Sequence, residues 1–125
     1  MDELDTKEGI VMDLEQVAFN IILHAGNARS YYFEALKLAR EGDFLKAKER
    51  VTKAKQELIE AHHRQSVLLQ QEAEGHKTEL SLVLIHAQDH LMNTILAQDL
   101  IQEMILLYEH QSKNNINREK DTEVL

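Results

Sequence analysis

The chain has no cysteine, no proline, no tryptophan and only four glycines, at positions 9, 26, 42 and 75. Lack of cysteine excludes a disulfide framework and thiolate chemistry. So few helix breakers, set among abundant Ala, Leu, Glu, Lys and Gln, favour long helices. No stretch shows the period-two alternation of a strand, and no hairpin dipeptide such as Asn-Gly occurs. Positive charge is also scarce: 14 Lys and Arg stand against 22 Asp and Glu, a formal charge of −8. With no basic block, this balance argues against a nucleic-acid partner. No apolar run is long and uncharged enough to span a bilayer, and Met1-Asp2-Glu3-Leu4-Asp5 is acidic where a signal peptide is basic. A cytoplasmic protein is expected.

What is present reads as an all-α fold in one domain of 125 residues. A first helical pattern runs from about Asp13 to Glu41, with Leu14, Val17, Ala18, Ile21, Ile22, Ala25, Ala28, Tyr32, Ala35, Leu36 and Ala39 on one stripe. Gly26 interrupts it, either at a close helix–helix contact or as clearance for a ligand or partner. Glu41-Gly42-Asp43-Phe44 is the clearest boundary, since Gly42 can stop one helix in the left-handed conformation and Asp43 can cap the next. So short a join implies an antiparallel pair. The second helix is expected to reach Ala73, burying Phe44, Ala47, Val51, Ala54, Leu58, Ala61, Gln65 and Leu68. A loop at 72–77 leads to a third helix from about Thr78 to Gln111. The expected organisation is a flexible extension at 1–12, an antiparallel three-helix bundle at 13–111 and a flexible polar tail at 112–125.

The third helix is apolar on two sides. Leu80, Leu84, Ala87, Leu91, Ile95 and Ile105 form one face; Leu82, His86, Asp89, Asn93, Leu96, Leu100, Met104 and Leu107 form nearly the opposite one. A hairpin of the other two helices covers only one face, so the second needs a partner, most simply another copy of the chain. The alternative is a monomeric bundle with a semi-exposed strip.

On that second face lie His86, Asp89 and His90, inside otherwise apolar sequence. His86 and His90, at i and i+4, suit two ligands of one metal ion. However, Ala87 stands where the zinc-protease motif has its glutamate, and no third ligand follows at a recognised spacing. His86 and Asp89, at i and i+3, can meet, and a carboxylate orients an imidazole acting as base or nucleophile. The competing reading is a hydrogen-bonded structural pair at a helix interface. Ser81 is a weak nucleophile candidate. His62 is a candidate for the same cleft, His24 and His110 read as boundary residues and His76 as loop. Lys46, Lys48, Arg50, Lys53 and Lys55 read as a solvated helix face.

At these residues the chain resembles the enzyme IIA component of the lactose/cellobiose/diacetylchitobiose class of the bacterial phosphoenolpyruvate-dependent sugar phosphotransferase system. The matching segments are HAQDHLM (86–92), AGNARS (25–30), EGDFLKAK (41–48) and EAHHRQS (60–66), which together span about residues 13–110. Ser66 and Asn93 stand where the family often has Thr, and Ala87 points toward the cellobiose/chitobiose branch. The resemblance implies a homotrimer of three-helix subunits. It implies that His86 accepts a phosphoryl group from the histidine phosphocarrier protein and passes it to a cysteine of enzyme IIB, for sugar uptake through enzyme IIC. His90, Gln88 and Gln65 would support that site. Asp89 would bind one structural Mg²⁺ per trimer on the symmetry axis. The alternatives are a metal-dependent hydrolase using both histidines and a purely structural helical oligomer with a metal-binding His/Asp seam.

Overall fold

The computed structural model describes the backbone of residues 3–124 and the side chains of residues 14–122. Three helices and no strand are found among the described residues: α1 (Glu3–Arg40), α2 (Phe44–Ala73) and α3 (Leu82–Val124). The first turn forms as its residues dictate. Gly42 has φ 87°, and the Asp43 side chain accepts a hydrogen bond from the Lys46 N–H at 3.2 Å. Gly75, with φ 94°, serves the second join. These turns make α1 and α2 antiparallel and bring α3 back parallel to α1.

Helix bounds differ from expectation at three ends. α1 begins at Glu3 rather than near Asp13, and α3 continues to Val124 rather than ending near Gln111. Residues 113–122 are exposed throughout; an α-helix closes its hydrogen bonds internally and needs no apolar stripe to continue. The start of α3 moves the other way, from Thr78 to Leu82. Ser81 sets it, its Oγ accepting from the Leu84 N–H at 3.1 Å. Ser81 is therefore a helix cap, not a nucleophile, and Leu80, expected in the core, is 78% exposed ahead of the helix.

The core is built largely of alanine. Ala18, Ala25, Ala28, Ala35, Ala39, Ala47, Ala54, Ala61 and Ala87 are all essentially sealed from solvent, with Ile21, Tyr32, Leu91 and Thr94 as the bulkiest fully buried side chains. Small residues let helix axes approach closely. α1 is the shared element: α2 and α3 both pack mainly against it and touch each other little, leaving a groove between them. Polar contacts fix the α1–α2 register. His24 Nδ1 lies 2.6 Å from Glu57 Oε2, Lys53 sits over the Tyr31 ring, and Arg50 faces Glu34 at 3.6 Å. On the other side of α1, the single Thr94 hydroxyl proton is shared between its own helix at His90 O, 2.7 Å, and the Ala25 carbonyl at 3.3 Å.

Gly26 is not explained by packing within the chain. A β-carbon there would meet nothing within 4 Å, so the position is open space rather than a close helix–helix contact.

Candidate functional site

α3 presents its two faces as the sequence implies. Leu84, Ala87, Leu91 and Ile101 are buried, whereas Leu82, Leu96, Leu100, Met104 and Leu107 are exposed, from 43% to 82%. His86, Asp89 and Asn93 are exposed on that outer face, and His90 is half-buried at its edge, toward α1.

The closest polar contact of the group is between the two histidines. His86 Nε2 and His90 Nε2 are 3.1 Å apart, with ring centroids 4.5 Å apart and planes at 83°. Two ring nitrogens at this distance must divide the roles of donor and acceptor between them. If His90 carries its proton on Nε2, then His86 Nε2 is the acceptor and the proton of a neutral His86 sits on Nδ1. That pairing would hold the His86 ring in orientation, its Nε2 accepting from His90. The expected orienting carboxylate does not do this work: among the described residues no hydrogen bond joins His86 to Asp89. The i+4 neighbour lies along the same helix face, whereas i+3 falls about 60° round it, at roughly 100° per residue.

Gln65 and Gln88 are brought together, but away from His86. Gln65 Nε2 donates to Gln88 Oε1 across the α2–α3 contact. Gln88 is two positions beyond His86, about 200° round the helix at roughly 100° per residue. The pair therefore occupies the α2 flank of α3, while His86 and His90 lean toward α1. His62 is elsewhere again. It lines a cavity of about 440 Å³ with Lys55, Leu58, Ile59, Ile95 and Gln98, along the α2–α3 groove, and this cavity contains neither His86 nor His90. His24 is engaged by Glu57; His110 is exposed and bonded to Asn114.

Sequence reasoning passed over Arg29. With Phe33 on α1 and Asp89, His90, Asn93, Thr94 and Ala97 on α3, it lines a second cavity of about 310 Å³. Its only sequence signal was a place within the AGNARS segment, which says nothing of the side chain's direction. No group of three metal-ligating side chains converges within the chain among the described residues. No described helix is long and apolar enough to cross a membrane.

The comparisons with known proteins agree with one another. The family model described as "PTS system, Lactose/Cellobiose specific IIA subunit" matches residues 16–109. The chain is 48% identical over 97 residues to the lichenan-specific phosphotransferase enzyme IIA component of Bacillus subtilis, covering 78% of this chain and 88% of the relative. It is 41% identical over 109 residues to the N,N'-diacetylchitobiose-specific EIIA component of Escherichia coli K12, covering 87% and 94%. Among solved structures, the cellobiose-specific enzyme IIA from Bacillus anthracis superposes with a TM-score of 0.77 at 50% identity, over 80% of this chain and 92% of that one. The IIA(Chitobiose) chain solved in complex with HPr, from the Escherichia coli phosphotransferase system, gives 0.69 at 43% identity, over 79% and 96%.

Proposed function

Because the chain belongs to the lactose/cellobiose-specific IIA family of the phosphotransferase system, and is thereby a phosphotransferase relay protein, we propose that His86 is the residue that carries the phosphoryl group. The observation that carries this reading is the exposed His86 imidazole with its Nε2 set 3.1 Å from His90 Nε2. The donor is the histidine phosphocarrier protein, a partner supported by the solved complex of the chitobiose relative with HPr. The acceptor is a cysteine of enzyme IIB, which phosphorylates a disaccharide of the lactose, cellobiose or chitobiose type during uptake through enzyme IIC. The protein works in the cytoplasm and meets the membrane only through that component.

The chemistry balances without a base. The His86 Nε2 lone pair attacks phosphorus, the P–N bond of the donor's protonated phosphohistidine breaks, and the donor nitrogen keeps the electron pair. One neutral imidazole becomes a phosphoimidazolium and the other the reverse. His90, whose Nε2–H first points at the His86 lone pair, then donates to a phosphoryl oxygen. The apolar rim of Leu82, Ile85 and Met92, each more than half exposed, receives the partner and excludes water from the labile bond.

The exposed face of α3 supports a homotrimer. About a threefold axis along this seam, the α1 flank of each copy faces the α2 flank of the next. Gln65 and Gln88, paired on the α2 flank, would then support the phosphoryl site from the neighbouring copy. Three Asp89 carboxylates meet near the axis. One chain offers a single carboxylate there, so a cation site needs all three copies, and the hard oxygen donors suit one structural Mg²⁺. The ion would neutralise carboxylates that otherwise raise one another's pKa.

Incubation with phosphoenolpyruvate, enzyme I and the phosphocarrier tests the assignment. Wild type gains one acid-labile phosphoryl group per chain, and His86→Gln gains none while its helical circular dichroism is unchanged. Stoichiometric labelling of folded His86→Gln would place the acceptor elsewhere.

A further inference from the structure

Electrostatics single out one side chain that this mechanism leaves unused. A phosphoryl group on His86 brings close to two negative charges to a chain already at −8. The part of α3 around it offers no counter-charge: from Leu82 to Ser112 there is neither Lys nor Arg, while Asp89, Asp99, Glu103 and Glu109 are all acidic, and the first cation of the helix, Lys113, lies about seven turns beyond His86. α1 is nearly as poor, and between Glu8 and Leu36 its one Lys or Arg is Arg29. The cations of α2 do not compensate, since none of them lines the cavity beside His90; Lys53 lies over Tyr31 and Arg50 faces Glu34.

Arg29 is also placed for the purpose. Its guanidinium sits 5.7 Å from the centroid of the Phe33 ring, a cation–π contact that restrains a long side chain. From there it borders the cavity whose opposite wall is Asp89, His90, Asn93 and Thr94. Among the described residues no carboxylate lies within ion-pairing distance of it. Cavity and transfer site share His90, whose Nε2 is 3.1 Å from the His86 nitrogen. The charged and titratable groups facing this space are thus Arg29 from α1 and Asp89 and His90 from α3, with none from α2.

We propose that Arg29 is the positioning cation of the transfer site, steadying the phosphoryl dianion carried on His86 across the cavity that Arg29 shares with His90. The proposal rests on His86 being the acceptor. Arg29 acts through the field at the cavity and through His90, so it is a positioning residue rather than a catalytic one. A planar guanidinium held over Phe33 is suited to this role, because it stays charged and less rotamer freedom remains to be lost when the anion arrives.

The test compares wild type, Arg29→Gln and Arg29→Lys, each phosphorylated by the relay and followed by ³¹P nuclear magnetic resonance. A nearby cation favours the dianion, so the phosphoryl resonance of Arg29→Gln should titrate at higher pH than that of wild type, with Arg29→Lys in between. Transfer from the phosphocarrier should slow about tenfold in Arg29→Gln, the effect of roughly 1.4 kcal/mol in the barrier, and recover in large part in Arg29→Lys. Thermal melts and sedimentation of the unphosphorylated variants should match wild type. An Arg29→Gln protein with wild-type titration and rate overturns the proposal. So does one that loses assembly while its titration stays in place, which would make Arg29 a partner of Asp89 between copies. Failure of wild type to label at His86 instead removes the underlying reading, which keeps the two failures distinct.

Discussion

The two faces of α3 carry similar aliphatic residues and meet opposite fates. Leu91 is fully buried, while Leu96, little more than a turn away, is 59% exposed. On the inner face the polar residue Thr94 is tied to two carbonyls. On the outer face the polar residues are His86, Asp89 and Asn93, exposed to solvent. The inner face therefore serves stability within one chain. The outer face sets imidazoles into apolar surroundings that nothing in the chain covers, which is the kind of surface that suits contact with other molecules.

The sharpest way to break this comparison is to truncate one leucine on each face. Leu91→Ala should cost about 2–5 kcal/mol, because it opens a cavity in a sealed core. Its melting temperature should fall by a similar amount at low and high protein concentration. Leu96→Ala should leave the fold of the single chain nearly untouched and weaken association instead, so that its melting temperature falls mainly on dilution. Equal, concentration-independent losses in the two variants would remove the distinction between the faces.

A smaller effect sharpens the inner side. The Tyr32 hydroxyl, fully buried and donating to Gln98 Oε1 at 3.0 Å, is pushed up from 10.0 to about 12 by burial and, secondarily, by Asp99. Between those values the folded chain keeps a proton that the unfolded chain has released. The contribution is complete below pH 10 and is lost as pH rises through about 12. The loss amounts to roughly 2–3 kcal/mol. Denaturant titrations at both ends of this window should show a shallower decline in Tyr32→Phe than in wild type. Parallel declines would mean that Tyr32 titrates as an exposed phenol.

The smallest expected change belongs to Asp89. Asp89→Leu removes the charge that the axial ion would neutralise, and apolar replacement of buried charge is often neutral or stabilising. Sedimentation equilibrium should find this variant trimeric with or without EDTA, while wild type loosens once the metal is stripped. A variant that falls to monomers, or a wild type indifferent to chelation, would remove the ion from the account.

Much of this was legible along the chain. The Gly42–Asp43 stop and cap was readable because each residue acts on backbone within a few positions, and the second helix ended at Ala73 as its pattern required. Gln65 was placed on the buried stripe by spacing alone and is buried. The C-terminal end of α3 was misjudged because an exposed helix needs no amphipathic pattern. The contacts around the candidate residues were not legible. The HAQDHLM segment pointed to His86; within one chain its hydrogen-bond partner is His90 rather than Asp89, and Gln65 and Gln88 pair with each other on another flank of α3.

By itself, then, the sequence determined the helical class, the turns and the chemical inventory of the outer face of α3, because these depend on residue type and on spacing within a few turns. Tertiary structure alone decided that Gly26 meets open space, that the two glutamines pair on the far flank, and that Arg29 borders the cavity beside His90. Those facts depend on how α1, α2 and α3 lie against one another, and residues far apart in the chain carry no local signal of the distance that folding sets between them.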